Sequence, residues 1–454
     1  MPVYVYELVD RRGFNMFYAP ACPFMDLLAP MNPRDANDHP RMAGDVAGTC
    51  REANDLGQPE PGGESLSVDV KLIIEGDIPT NHIIERVIRE ALGSKGTVEK
   101  YLLPYFTPDV LENGGAVILS RVGDPTAIPM LDWMATRRVP YLYYIDDNFW
   151  ELAGNTKLAQ YYQYPRVRKA LARAVEGAKA VIVNSVLLGD YIRKRFPRAN
   201  VVHLNAPFDF SLIERVAPHD KAPGEVRIGF AGNVSRAADF VEIFPAFDRL
   251  LAEYSHVSMV FFGYCPPELI GRERVTYVPT VNDYAEFIAL KASSGLDIGL
   301  APMTGSVSNL YKTNNKYREY GALKIAGIYT NTSPYKESVV DGKTGLLVEH
   351  GVDAWYGALK RLVVDAKLRG QIADAAYQDV RENYAQSVVA RQWADLLFDF
   401  AARYSTSNPV EKPSRALTTS IRARRVLNLT LLRAQMVRKR LHAKVARRSR
   451  ARSE

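Results

Sequence analysis

Cysteine is scarce in this chain of 454 residues, and the three that occur, Cys22, Cys50 and Cys265, lie far apart. An odd number without a CxxC pair argues against a disulfide framework or a zinc site and is typical of thiols in a reducing compartment. No apolar run approaches the roughly 18 residues that cross a bilayer. The start, MPVYVYELVDRRGF, lacks the charged and apolar regions of a signal peptide. We therefore expect a cytoplasmic protein.

Several catalytic motifs are also missing. No GxGxxG follows an apolar run, because GFAGNV offers only two glycines, which argues against a dinucleotide oxidoreductase. Neither Ser120 nor Ser185 lies in a GxSxG elbow, so serine hydrolase chemistry is unsupported. His82 and His203 are isolated from other ligand-type residues, which favours structural roles.

Positive charge is concentrated at one end of the chain. Residues 411–454 contain 14 Lys/Arg and 2 Asp/Glu, whereas the remainder contains 44 basic and 49 acidic residues. The net charge of +7 therefore belongs to a tail and not to the body of the protein.

The body of the chain alternates between short β-rich apolar runs and amphipathic segments. Such alternation predicts parallel sheets covered by helices on both faces, and the length favours two domains. The fold class is therefore α/β, with two doubly wound, Rossmann-like domains facing across a cleft and a basic helical C-terminal tail. The predicted strands occupy 68–76, 116–123, 139–147, 180–185, 200–206, 226–233, 257–263, 296–302, 325–331 and 344–350.

Composition divides the chain into five ranges. Residues 1–68 are rich in Pro, Gly, Asp and Asn and predict a long irregular segment. Residues 69–206 and 225–404 carry the two series of strands and helices, and 207–224, with three prolines, reads as a linker. Residues 405–454 form the basic tail. In doubly wound folds ligands bind beyond the carboxyl ends of the strands, so we expect a site between the two series.

The segment 309–351 is the most informative part of the sequence. Lys312, Lys316 and Glu319 are spaced by four and three residues, so they share one face near a helix start. Two lysines at a helix N-terminus suit a diphosphate, and a carboxylate one turn further can accept hydrogen bonds from a ribose diol. A solvated, salt-bridged helix face is the alternative interpretation of this spacing.

This segment resembles the C-terminal half of the retaining, two-Rossmann glycosyltransferases of the large "group 1" family (GT-B fold). The likeness continues through 365–385 and, more loosely, through the N-terminal half, so it spans roughly residues 70–400. Two family patterns carry it, K-[ST]-x-x-K-[FY]-x-E-[YF]-x-A and E-x-[VI]-x-[DH]-G-x-T-G-x-L-V. The matching positions are Lys312, Thr313, Lys316, Tyr317, Glu319, Tyr320 and Ala322, then Glu337, Val339, Asp341, Gly342, Thr344, Gly345, Leu347 and Val348.

The resemblance implies roles for individual residues on the donor side. Glu319 aligns with the glutamate that holds the donor ribose, and Lys312 with a basic residue near the diphosphate. Gly232 and Asn233 align with the turn that faces the donor phosphates, where many members carry Arg or Lys, and Arg236 follows three residues later. The implied donor-binding set is Gly232, Asn233, Arg236, Lys312, Thr313, Lys316, Glu319 and Glu337. Tyr311 stands where many members have a second glutamate near the donor sugar.

Asp146 and Asp147 follow an apolar run of the first half, at the edge expected to face the cleft. With Lys312 and Glu319 they complete our candidate catalytic residues, as a polar feature of the acceptor side. A metal pair and a helix cap before FWEL are the alternatives. No DxD motif occurs in the donor half, and lysines with a helix dipole can stabilise a leaving diphosphate. We therefore expect no metal and no cofactor apart from the nucleotide-sugar co-substrate.

The first half is also expected to bind the acceptor. Gly76 forms the first strand-to-helix turn, which borders the acceptor in this architecture, and the aromatic rings of Phe149 and Trp150 follow the aspartates. Sugar rings stack on aromatic faces, so these residues are acceptor-side candidates for a glycan or lipid-linked acceptor. Ordinary core packing of the aromatic residues is the alternative.

Residues 421–448 predict a basic amphipathic helix. Val426, Thr430, Ala434 and Val437 recur at spacings of three and four, and Leu441 and Val445 continue the series. Such a helix suits an anionic membrane surface, which would place the enzyme peripherally on the inner face of the cell membrane. A solvated or disordered tail is the alternative, and we expect no nucleic acid partner because no base-stacking module accompanies the tail.

Together these features predict a retaining glycosyltransferase that moves a hexose from a nucleotide sugar to a glycan or glycolipid in surface polysaccharide or glycoconjugate biosynthesis. A nucleotide-sugar epimerase or phosphorylase on the same fold is one alternative. A non-catalytic glycan-binding relative is another, and Tyr311 is consistent with it.

Overall fold

The computed structural model describes residues 8–9, 15–16, 67–111, 114–154, 156–217, 221–232, 234–241, 243–404 and 415–450. The chain divides into two compact units, Met1–Leu66 and Ser67–Glu454. In the first, β1 (Leu8–Val9) and β2 (Asn15–Met16) pair in antiparallel fashion. The rest of the predicted irregular segment 1–68 lies almost entirely outside the described residues.

The second unit begins with a parallel sheet, which we call the N-terminal domain. Its strands have the order β4-β3-β5-β6-β7-β8, six among the described residues. Both faces carry helices, so β3, β5, β6 and β7 are buried along their whole length. The elements are β3 (Val70–Ile74), α1 (Pro79–Leu92), β4 (Val98–Leu102), β5 (Ala116–Ser120), α2 (Ile128–Thr136), β6 (Tyr141–Tyr144), α3 (Lys157–Tyr162), α4 (Pro165–Gly177), β7 (Ala180–Val183), α5 (Val186–Arg195) and β8 (Val201–His203).

A second parallel sheet forms the C-terminal domain. Its order is β11-β10-β9-β12-β13-β14, again with six strands among the described residues, so in chain order it reads 3-2-1-4-5-6 where the first sheet reads 2-1-3-4-5-6. The predicted fold class is therefore confirmed. The elements are β9 (Val226–Ala231), α6 (Phe244–Glu253), β10 (Val257–Phe262), β11 (Val275–Val278), α7 (Tyr284–Ser293), β12 (Ile298–Ala301), α8 (Asn315–Ala322), β13 (Ala326–Thr330), α9 (Tyr335–Ser338), β14 (Leu346–Val348), α10 (Val352–Val364), α11 (Ala366–Asn383) and α12 (Gln386–Tyr404).

Strands β4 and β11 are absent from the sequence-based expectations, and both lie at the edge of their sheet. An edge strand is covered less completely than a central one, so it need not be a continuous apolar run. The sequences VEKYL and VTYV accordingly contain two exposed positions each, and the other positions are buried or partly buried.

Helix α12 returns to the N-terminal domain, although the predicted range 225–404 groups it with the second half. Its buried residues Val389, Trp393, Leu397 and Phe400 join the core around β3. The segment that leads back to the N-terminal domain runs beside the segment that leaves it. There the Phe208 amide donates to the Tyr384 carbonyl (2.7 Å), and the Gln386 amide donates to the Phe208 carbonyl (3.0 Å). The domain limits predicted from the sequence stay predictions. The packing of α12 shows only that this one helix joins the core of the N-terminal domain.

The predicted basic helix is present as α13 (Arg415–Arg450). One face of it packs on the N-terminal domain through Ile421 and Leu432, each 3% exposed. The stripe that begins with Val426 and includes Val437 lies on the opposite, exposed face. The apolar stripe that the sequence spacing predicts is therefore not the face that packs on the N-terminal domain.

Within the described residues, the structure contains no helix with the length and apolar character needed to cross a bilayer.

Candidate functional site

The carboxyl ends of the parallel strands carry the polar residues of the candidate site. In the N-terminal domain Arg121 follows β5 and Asp146 follows β6, and in the C-terminal domain Gly232 follows β9. Strands of a parallel sheet end at the same edge, which is where ligands bind in doubly wound folds.

Helix α8 and the turn before it form the donor side that the sequence predicts. Lys312 ends the short helical turn Val307–Tyr311, and Lys316 lies in the first turn of α8. Glu319 is one turn further along the same helix. The spacing therefore does bring the two lysines and the carboxylate together near a helix N-terminus.

Arg236 completes this cluster from the segment after β9. Its Nε lies 2.6 Å from Asp239 Oδ2, and its Nη2 donates to the Pro302 carbonyl (3.1 Å). Gly232 lies beside it, where a Cβ atom would approach the Phe230 ring to 2.6 Å and the Arg236 Cγ to 3.0 Å. A side chain at 232 would disturb both neighbours, which explains the glycine. Asn233 lies outside the described residues.

Burial and neighbouring cations lower the pKa values of both lysines. Burial, with the nearby Arg236, Lys291 and Lys312, lowers the pKa of Lys316 to about 7 despite the opposing charge of Glu319. Burial and Arg236 also lower the pKa of Lys312. Among the described residues no carboxylate lies within ion-pair distance of either lysine, whereas Arg236 has Asp239. The cluster therefore holds positive charge that the protein does not neutralise.

Glu319 is paired from the interior of the domain. Lys291, in the last turn of α7, has a fully buried side chain and donates from Nζ to Glu319 Oε2. The Glu319 side chain retains 12% exposure. The carboxylate is thus held from the protein side while a small part of it remains accessible.

Two further donor-side candidates are placed differently. Thr313 Oγ1 donates to Asn315 Oδ1 (2.6 Å), and Thr313 lines a cavity of about 60 Å³ with Thr80, Asp146 and Arg318. Glu337 is exposed on α9, and no hydrogen bond or ion pair joins it to the lysine cluster within the described ranges. The cavity contains residues of both domains, so Thr313 lies where they meet.

Asp146 and Asp147 share one cation on the acceptor side. Arg121 Nη1 donates to Asp146 Oδ1 (2.7 Å) and Nη2 to Asp147 Oδ2 (3.1 Å). Burial and the adjacent Asp147 outweigh Arg121 and raise the pKa of Asp146 to about 6. Asp147 in turn interacts electrostatically with Lys312 of the other domain. The candidate residues of the two halves therefore face each other.

The structure discriminates between two of the alternatives for the aspartates. Residues 148–151 form turns, and α3 begins at Lys157 with Thr156 Oγ1 capping it, so the helix-cap interpretation is wrong. In the part of the chain that the structure describes, no group of three His, Cys, Asp or Glu side chains is arranged to hold a metal ion. Metal independence stays a prediction from the sequence.

The aromatic candidates on the acceptor side belong to the core. Phe149 and Trp150 are 1% and 3% exposed. Phe149 stacks on Tyr162 with ring centroids 4.2 Å apart, and the Arg121 guanidinium lies 4.9 Å from its ring centroid. Their burial favours core packing, the alternative left open by the sequence, over stacking on a sugar. Gly76 is buried in the first turn of the domain, where its carbonyl accepts from Asn81 Nδ2 (2.7 Å).

Three residues of the site carry no signal in the sequence. Arg121 follows β5 with φ of 56°, Lys291 lies inside α7, and Arg318 precedes Glu319. Arg318 is 5% exposed and donates to the Pro207 carbonyl at the domain crossing. Each acts through a partner between 25 and 111 positions away, which a local pattern does not reveal.

Tyr311 occupies the position of the expected second glutamate and contacts the other domain. Its ring lies 5.3 Å from that of Tyr191 on α5, in an edge-to-face arrangement. Tyr191 in turn donates to Glu151 Oε1 (2.9 Å). Tyr311 thus supplies an aromatic contact between the domains where a carboxylate was expected.

No family model matches the chain, and a search of curated proteins finds no match. Solved structures do match. Sucrose-phosphate synthase from Thermosynechococcus elongatus is 13% identical with a TM-score of 0.54, and the alignment covers 74% of this chain and 100% of that one. Anabaena HepE in complex with UDP is 13% identical with a TM-score of 0.53, and the alignment covers 73% of this chain and 100% of that one. HepE in complex with UDP-glucose is 13% identical with a TM-score of 0.51, and the alignment covers 73% of this chain and 99% of that one. This likeness, with the two six-stranded parallel sheets of the described residues, shows that the chain has the two-domain GT-B glycosyltransferase fold.

Proposed function

We propose that this protein is a glycosyltransferase that moves a sugar from a nucleoside diphosphate sugar to a glycan or glycolipid acceptor. The donor binds mainly to the C-terminal domain, at Arg236, Lys312, Lys316 and Glu319. The acceptor approaches from the N-terminal domain, near Gly76, Asp146 and Asp147.

The observation that carries the proposal is the unneutralised charge of Lys312 and Lys316. Arg236 is compensated by Asp239, and Lys291 by Glu319, so these two lysines supply the excess positive charge. Burial penalises both cations, as their lowered pKa values indicate. An anionic group that binds between them removes this penalty, and a diphosphate at the N-terminus of α8 has the matching charge and position.

The same cluster suits the departure of a nucleoside diphosphate. Cleavage of the bond between the sugar and the diphosphate leaves negative charge on the diphosphate oxygens. Lys312, Lys316 and Arg236 are fixed by the fold before that charge develops, so they stabilise the transition state without reorganisation. Glu319 holds the ribose and thereby positions the bond to be broken.

Retention of configuration and a hexose substrate follow from the resemblance to the "group 1" family. HepE is solved with UDP and with UDP-glucose, which makes UDP-glucose the first donor to test. Asp146, with a pKa of about 6, lies across the cleft from the lysines and can exchange a proton near neutral pH. Surface polysaccharide or glycoconjugate synthesis is the corresponding process.

The outward face of α13 supports a lipid-linked acceptor. The helix carries twelve Lys/Arg and no Asp/Glu, and its exposed side presents Val426 and Val437 between Arg433 and Arg438. An apolar stripe flanked by cations suits an anionic membrane surface. Because α13 packs on the N-terminal domain, membrane contact would bring the acceptor side close to lipid-linked substrates.

A panel of nucleotide sugars with and without lipid-linked glycan acceptors tests the proposal. We expect release of nucleoside diphosphate that depends on the acceptor, and NMR of the product then gives the anomeric configuration. Lys312→Met/Lys316→Met should abolish release, whereas Lys336→Met/Lys343→Met, which removes two exposed lysines of the same domain, should not. Binding without turnover would instead support a non-catalytic glycan-binding role, and no binding of any nucleotide sugar would contradict the proposal.

A further inference from the structure

Lys291 is an unusual residue for its surroundings. It lies in α7, its side chain is fully buried, and its Nζ is 4.4 Å from the Phe287 ring centroid and 5.5 Å from that of Tyr320. A lysine in such a position costs free energy unless its charge is paired. Its partner is Glu319, the carboxylate of the candidate donor site.

The geometry gives the two oxygens of Glu319 different environments. Oε2 accepts from Lys291, and within the described residues no other side chain donates a hydrogen bond to this carboxylate. Lys291 contributes no exposed surface, so it approaches from inside the domain and leaves the outer part of the carboxylate open.

We infer that Lys291 is a positioning residue that fixes the orientation of Glu319 and thereby makes the site selective for ribonucleotides with free 2′ and 3′ hydroxyl groups. The inference rests on the proposed function. Lys291 itself contacts no substrate, because its side chain is shielded by Phe287, Tyr320 and Glu319. It acts through the carboxylate that it holds.

The test compares binding of UDP, ADP and GDP with binding of their 2′,3′-dideoxy analogues, measured by isothermal titration calorimetry. The dideoxy analogue cannot form the hydrogen bonds to the charged carboxylate. The wild type should therefore bind the ribonucleotide about tenfold or more tightly than its dideoxy analogue. Lys291→Met should bring that ratio close to one, since Glu319 loses its orientation and counter-charge. Because the ratio compares two ligands on one variant, general loosening of the fold changes it little.

Lys71→Met is the matched control. Lys71 is also buried and pairs with a carboxylate, Glu99 (2.5 Å), but it lies in the N-terminal sheet. This variant should keep the wild-type ratio. Glu319→Gln should lower the ratio, and Lys291→Met/Glu319→Gln should lower it no further, because the lysine acts only through the carboxylate.

Each outcome is decisive. If Lys291→Met does not fold, as judged by circular dichroism, Lys291→Gln removes the charge while keeping an N–H donor, and the same loss of selectivity is expected. A Lys291 variant that keeps the wild-type ratio, or a wild type that binds both forms equally, overturns the inference and leaves the proposed function standing. A wild type that binds none of the nucleotides contradicts the proposed function as well.

Discussion

Lys316 is a residue whose charge changes near neutral pH. Its pKa of about 7 reflects burial beside Arg236, and diphosphate binding requires the protonated form. We expect the affinity for the nucleoside diphosphate that the wild type binds to fall with a slope approaching tenfold per pH unit above pH 7.5. The ligand is not the cause in that range, because its phosphate is already ionised.

Lys316→Arg should remove this dependence, since a guanidinium stays charged throughout the range. Calorimetry in buffers of different ionisation enthalpy should show proton uptake on binding by the wild type and none by the variant. An affinity of the wild type that is constant from pH 7 to 9 would contradict the lowered pKa. The unfolded chain binds this proton more tightly, so Lys316 also makes the free energy of unfolding rise between pH 7 and the ordinary lysine pKa of 10.5.

Arg121 holds two adjacent carboxylates, and its removal should have a cost that depends on pH. Arg121→Met leaves Asp146 and Asp147 without their shared cation. We expect the free energy of unfolding to drop by about 3 kcal/mol at pH 8 and by less at pH 5. The native pKa of Asp146, about 6 in the wild type, rises further without Arg121, so below it the carboxyl takes up a proton and the repulsion disappears.

Urea unfolding at both pH values checks this prediction. Arg173→Met is the control, because its ion pair with Asp132 is about half exposed and should contribute within about 0.5 kcal/mol at either pH. Equal losses for Arg121→Met at pH 5 and pH 8 would show that the aspartates are not the reason for its effect.

At the scale of single elements, α13 has two faces with different expected roles. Leu432 is 3% exposed against the N-terminal domain, whereas Val437 is 54% exposed. Leu432→Ala should lower the free energy of unfolding by about 3 kcal/mol through the cavity it leaves. Val437→Ala should change it by less than about 0.5 kcal/mol.

Cosedimentation with vesicles should give the opposite order. Val437→Glu should weaken binding to vesicles of mixed phosphatidylglycerol and phosphatidylcholine, because it places an anion on the outward apolar stripe. Leu432→Ala should bind them as the wild type does. If both variants bind the vesicles as strongly as the wild type does, this face of α13 has no membrane role.

The strands and α13 also show which features of an element the local sequence pattern can predict. The central strands β3, β5, β9 and β12 consist mostly of apolar residues, and the sequence locates them because a strand covered on both faces favours apolar side chains. Edge strand β4 contains Glu99 and Lys100 and shows no such run. In α13 the periodicity predicts a helix, but which face packs depends on the surface it meets.

At the scale of the whole molecule, the two domains are connected by α12. Trp393 is 1% exposed in the core around β3, with its ring centroid 6.3 Å from that of Tyr144. Trp393→Ala should therefore destabilise the N-terminal domain by about 3 to 5 kcal/mol, although residue 393 follows the C-terminal sheet in sequence. Amide exchange should accelerate in β3 and β6 more than in β9 and β12.

Trp355→Ala provides the matched control. Trp355 is fully buried on α10 within the C-terminal core, so its truncation should accelerate exchange in β9 and β12 instead. Exchange that accelerates equally in both domains for either variant would mean that the domains unfold as one cooperative body.

The sequence by itself determined the two doubly wound domains, the basic helix and the grouping of Lys312, Lys316 and Glu319. These depend on apolar periodicity and on spacing along one helix, which act over a few residues. Only the tertiary structure decided that Lys291 holds Glu319, that Arg121 joins Asp146 to Asp147, that Phe149 and Trp150 are core residues, and that α12 returns to the first domain. These contacts join distant parts of the chain, and burial and ion pairing depend on which surfaces the fold brings together.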